Sequence, residues 1–69
     1  MVEVFKTNVR KKAQSKMLHG VLAEAFPLVK INFDLSDRDK VLRVKGDPVE
    51  SARITILVRA HGFTCERLD

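Results

Sequence analysis

Between residues 30 and 45 the chain alternates apolar and polar side chains twice, with a polar break in the middle. Ile31, Phe33 and Leu35 fall on one side, and Lys30, Asn32 and Asp34 on the other. A period of two is the signature of a strand buried on one face only. Ser36, Asp37, Arg38 and Asp39 then supply turn chemistry. Beyond them Leu42 and Val44 alternate with Arg43 and Lys45. Strands over 28–35 and 40–45, joined by so short a turn, predict an antiparallel hairpin. A hairpin with one apolar face is not stable alone and needs another layer laid on that face.

Both flanks supply that layer. Over 10–25, Ala13, Met17, Leu18, Val21, Leu22 and Ala25 recur at helical spacing, with Lys12, Ser15, Lys16 and His19 opposite. Pro27 cannot continue a helix and pushes Phe26 out of helical geometry. Over 48–61 a second stripe of Ile54, Leu57 and Val58 follows Asp47, Pro48 and Glu50, which read as N-cap, first helical residue and capping box. Gly62 stops that helix. Residues 2–7 and 63–68 read as strands, and Asn8 as a turn or N-cap residue. The order is βαββαβ. It predicts one α+β domain over 1–69, a ferredoxin-like sandwich: a four-stranded antiparallel sheet with two helices on one face.

Composition limits what such a domain can do. The chain has 69 residues, 45% of them apolar, with four Phe and neither Trp nor Tyr. That is close to the smallest self-sufficient core, so a protein partner or self-association is expected. One Cys forms no internal disulfide. Residues 1–9 are charged and strand-like rather than a leader, and no apolar run approaches the ~20 residues that span a bilayer. A cytoplasmic protein without membrane insertion is the expectation. The formal charge of +4 leans weakly toward anionic partners, because 9 acids interrupt 13 bases.

At this length the order of elements resembles the heavy-metal-associated domain of copper chaperones and metal-transporting ATPases. Leu18 and Leu22 match its first-helix positions, and Phe33-Asp34-Leu35 resembles its Val-Asp-Leu. Ile54 and Val58 fit its second helix, and Gly62-Phe63 resembles its Gly-Tyr. The family carries Met-x-Cys-x-x-Cys before its first helix. In this register those slots hold Val9, Lys11 and Gln14, flanked by Arg10 and Lys12. The resemblance implies the fold, while the residues in the loop remove the family's activity. Cuprous ion needs soft thiolates, and a cationic loop repels it. No metal is expected at Lys11 and Gln14, and no cofactor elsewhere.

Three surfaces remain. Arg10, Lys11, Lys12 and Lys16 crowd a helix start that already carries partial positive charge, which reads as an anion site or as a solvated basic face. Cys65 reads as a core thiol; paired with His61, on the stripe of Ile54, Leu57 and Val58, it is a weaker candidate for nonstandard metal ligation. Val49, Ala52, Ile56 and Ala60 lie opposite the core stripe of the second helix and form a candidate contact patch. The outer sheet face collects Lys6, Lys30, Arg43 and Lys45, yet only Phe5 has a phase that would let a ring stack there. Nucleic-acid binding through the sheet is therefore disfavoured. No Ser/His/Asp or Cys/His constellation and no Gly-rich phosphate loop is present, so a non-catalytic binding or interaction module is expected, with metal trafficking through His61 and Cys65, or anion or nucleic-acid binding at the first helix, as alternatives.

Overall fold

Six elements follow one another: β1 (Val2–Thr7), α1 (Lys12–Ala25), β2 (Lys30–Asp34), β3 (Val41–Lys45), α2 (Ser51–Ala60) and β4 (Cys65–Leu68). They are seen in a computed structural model that describes residues 1–68. Asp69, the last residue of the expected domain, lies outside them. The four strands form one sheet in the order β2-β3-β1-β4, and every neighbouring pair is antiparallel. This is the βαββαβ arrangement that the two periodicities predict.

The hairpin alternation sets the register. Ile31 lies opposite Val44 and Phe33 opposite Leu42, while Phe5 of β1 also faces Leu42. One sheet face therefore gathers Phe5, Leu42, Val44 and Cys65. Onto it pack Leu18 and Leu22 of α1 and Ile54 and Val58 of α2, with Val9 and Phe26 closing the ends. Each such side chain contributes roughly 1.5–3 kcal/mol by leaving water, so about ten residues carry the fold.

The helical faces are narrower than the stripes imply. In α1 only Leu18 and Leu22 are buried, and the line continues to Phe26 at the C-cap. Val21 is half-buried, whereas Ala13, Met17 and Ala25 are exposed. A helix covered on one side alone buries an i, i+4, i+8 line, and its flanking apolar positions stay wet. In α2, Leu57 is half-buried beside the buried Ile54 and Val58, but His61 lies beyond the helix and is exposed.

Two expected caps are corrected. α2 begins at Ser51 with Glu50 at its N-cap, so neither Asp47 nor Pro48 caps it. Residues 46–50 are instead spent on carrying the chain from the sheet up to the helix layer. Val49 packs against the core on the way. Asn8 caps no helix either: its Oδ1 accepts the Thr64 N–H at 2.8 Å, which ties the loop before α1 to the loop before β4. The hairpin turn extends to Lys40, whose φ of 48° is left-handed; Asp37 Oδ1 accepts the Asp39 N–H at 2.8 Å inside it.

Candidate functional site

The loop between β1 and α1 is held from both ends. Thr7 is buried, and its hydroxyl donates to the Lys40 carbonyl at 2.6 Å while accepting the Val9 N–H at 3.2 Å. Val9 is fully buried and anchors the loop to the core. Lys11 is the N-cap residue of α1, in extended geometry. Gln14, one turn into the helix, folds back so that its Oε1 accepts the N–H of Lys11 at 3.2 Å and of Arg10 at 3.4 Å. Residues 11 and 14 thus lie beside each other, and an amide closes the loop on itself. Sequence reasoning missed this role of Gln14; its signal is a Gln three residues after the N-cap.

Arg10, Lys11, Lys12 and Lys16 are all exposed. None takes part in an ion pair among the described residues, and the first turn of α1 contains no acid. The structure therefore brings the four cations to one helix end. The field of the helix adds to theirs rather than opposing it.

Cys65 and His61 differ in exposure. Cys65 is 1% exposed, and burial pushes its thiol up, against smaller opposing effects of a hydrogen bond with Thr55 and the nearby Arg59 guanidinium. His61 is exposed and donates Nδ1–H to the Leu57 carbonyl at 2.9 Å. Among the described residues no three His, Cys, Asp or Glu side chains come together. Arg59, which sequence reasoning passed over, is spent on structure: Nε and Nη2 donate to the Cys65 carbonyl at 3.2 and 2.9 Å.

The patch on α2 is partly as expected. Ala52, Ile56 and Ala60 are exposed, Ile56 by 66%, but Val49 belongs to the core margin and not to the patch. Ile56 and Ala60 line an open groove of about 240 Å³ with Ala25, Phe26, Arg53 and Leu57. Arg53 stands 5.3 Å above the Phe26 ring and pairs with Glu50 at 3.0 Å. On the outer sheet face, Phe5 is not available: it is fully buried beneath the helices. Lys6, Lys30, Arg43 and Lys45 are exposed there without an aromatic ring.

No protein-family model matches the chain, and no curated protein or solved structure matches it. No helix among the described residues is long and apolar enough to cross a membrane.

Proposed function

We propose that this chain is a non-catalytic interaction module on a heavy-metal-associated-like frame, in which the loop that would hold a cuprous ion engages an anionic group of a partner instead. The observation that supports it is the cluster of cations around the start of α1. Arg10, Lys11, Lys12 and Lys16 stand exposed and unpaired among the described residues, with no acid nearby in the helix to balance them. Basic residues at a helix N-terminus work against the helix dipole, so an anion bound there relieves both repulsions. The groove over Ala25, Ile56 and Ala60 supports the broader reading of a partner-binding module, since apolar surface between exposed helices is what protein partners cover.

Phosphate or sulfate titration followed by thermal unfolding tests the reading. Both anions should raise the melting temperature by mass action. The Lys11→Gln/Lys12→Gln variant should respond less and be at least as stable in low-anion buffer. A melting temperature indifferent to both anions in both proteins would sink the anion reading and leave a solvated basic face. Cuprous titration with native mass spectrometry is the second arm. Wild type should take up no tightly held copper at the loop, and Lys11→Cys/Gln14→Cys should create a site, because the Gln14 side chain already reaches the backbone of Lys11. Tight copper in the wild type that is lost on mutating residues 10–14 overturns the assignment.

A further inference from the structure

The sheet has two edges, β2 and β4, and they are not alike. The Thr7 N–H goes to the Asp39 carbonyl, and the Gly46 N–H to the Met1 carbonyl. Odd residues of β1 and even residues of β3 therefore point their backbone groups at each other. It follows that Lys45–Lys30, Arg43–Asn32 and Val41–Asp34 are the hydrogen-bonded pairs between β3 and β2. Ile31 and Phe33 are left with N–H and C=O directed outward. By the same alternation Cys65 and Arg67 face outward from β4. On that side the Cys65 carbonyl is already taken twice by Arg59. Nothing among the described residues takes the backbone groups of Ile31 and Phe33.

The open stretch of β2 is closed at both ends. The Val29 N–H is spent on the Phe26 carbonyl at 3.3 Å, and the Leu35 carbonyl accepts Lys40 Nζ at 3.0 Å. Between these limits the edge also presents apolar side chains: Ile31 and Phe33 pack on the core but are only half-buried.

We propose that this edge pairs with β2 of a second copy of the chain, antiparallel, about a twofold axis through Asn32. Charge selects both occupant and register. The strand reads Lys-Ile-Asn-Phe-Asp, a pattern complementary to its own reverse. With Asn32 on the axis, Lys30 lies opposite Asp34 of the second copy, and Asp34, which within its own copy also pairs with Arg43 at 3.6 Å and accepts the Ser36 hydroxyl at 2.6 Å, lies opposite its Lys30. On the core face Ile31 lies opposite Phe33, twice. The odd residues so paired are the ones whose backbone groups point outward, so four hydrogen bonds form and every open group of the stretch is used. Shifting the axis to residue 31 sets Phe33 against Val29, whose N–H is already spent, and leaves Lys30 facing Asn32. The pairing also answers a local conflict. Within one copy Lys30 lies directly opposite Lys45 across the hairpin, a like-charge pair that destabilises a sheet. The second copy puts a carboxylate on the other flank of Lys30. The interface is isologous, joins two four-stranded sheets into one of eight, and is separate from the cations that start α1.

Sedimentation, native mass spectrometry and hydrogen exchange test it together. Wild type should be a dimer, with the amides of Ile31 and Phe33 protected when concentrated and exchanging on dilution. Lys30→Asp should act in opposite directions on fold and assembly. It removes the Lys30–Lys45 opposition, so the melting temperature of the monomer holds or rises. It places two carboxylates opposite each other twice, so the dissociation constant rises about tenfold or more. Asp34→Lys alone should weaken the dimer likewise. Mixing Lys30→Asp with Asp34→Lys should restore a heterodimer, because every cross-strand pair is then complementary. A wild type monomeric at millimolar concentration overturns the proposal. So does a dimer with unprotected Ile31 and Phe33 amides, or one that Lys30→Asp leaves intact. If Asp34→Lys does not fold, the Lys30→Asp and exchange arms still decide. Indifference of the dimer to phosphate separates this surface from the loop before α1.

Discussion

Arg67 Nη1 lies 3.3 Å from Glu3 Oε1, joining the last strand to the first. The same carboxylate oxygen accepts the Ser51 hydroxyl at 3.1 Å, at the first residue of α2. That helix has no acid in its own first turn and no side-chain cap. Glu3 adds from β1 a second negative charge beside that of the N-cap Glu50. Glu3→Ala should therefore lower stability by about 1 kcal/mol. Glu3→Gln should cost less, because an amide oxygen still accepts from Ser51. Denaturant unfolding at low and high salt checks both; equal losses for the two variants would mean that the charge, and not the hydrogen bond, matters.

Gln14 closes the loop before α1 by accepting two backbone N–H groups. Gln14→Ala should cost about 1 kcal/mol, as the loss of a helix cap does. Gln14→Glu should keep the geometry, add negative charge where four cations and the helix dipole meet, and raise stability by roughly 0.5 kcal/mol. Thermal melts in dilute buffer measure the difference, which should shrink as salt is added.

Cys65 carries a prediction for alkaline pH. Burial raises its pKa in the folded state above the ordinary thiol value. Through that window the unfolded chain has lost the proton that the folded chain keeps, so stability is full below the ordinary thiol pKa and falls as pH rises toward the folded value. Unfolding free energy measured against pH should show this decline, and Cys65→Ala should remove it at the expense of a small cavity, roughly 1 kcal/mol. Cys65→Asp should lose considerably more. Thiol reagents should label the native protein slowly and the denatured protein quickly; fast native labelling would contradict a core position.

Gly46 sits where the chain leaves β3. A Cβ there would lie 2.7 Å from Val29 Cγ1. Valine is stiff at χ1 and sits on the core margin, so the neighbour has little room to give. Gly46→Ala should cost on the order of 1–3 kcal/mol, whereas Gly20→Ala, with no heavy atom within 4 Å of its Cβ, should stabilise α1 by roughly 1 kcal/mol. Paired unfolding curves of the two variants give the contrast.

The hairpin and its faces were legible, because alternation in Ile31–Leu35 and Leu42–Lys45 encodes face directly, but its strand ends were not: Leu28, Leu35 and Lys40 lie outside the strands, Lys40 in a left-handed turn. Helix phase was legible only at Leu18, Leu22, Ile54 and Val58. Ala13, Met17 and Ala25 satisfy the same spacing, yet a helix lying on a single sheet reaches too little of its circumference to cover them. The start of α2 escaped because Asp47, Pro48 and Glu50 form a good cap sequence in the wrong place: the distance from sheet to helix layer has to be crossed first. Phe5 escaped since β1 reads Val-Glu-Val-Phe-Lys-Thr, where apolar side chains occupy both phases. In the loop before α1 the residue types were legible and the closure by Gln14 was not. The contrast between the sheet edges depends on hydrogen-bond parity and on Arg59 reaching a carbonyl six residues ahead, and no composition or period reports either.

Arg59 gives the fold a stopping rule. A sheet with two receptive margins can keep recruiting copies and grow into a filament, whereas one with a single receptive margin is used up by its first association. Two copies joined through β2 would present only β4 margins outward, each with its first carbonyl held by its own arginine. One side chain on the far side of the molecule thus narrows what the second margin offers to a further copy.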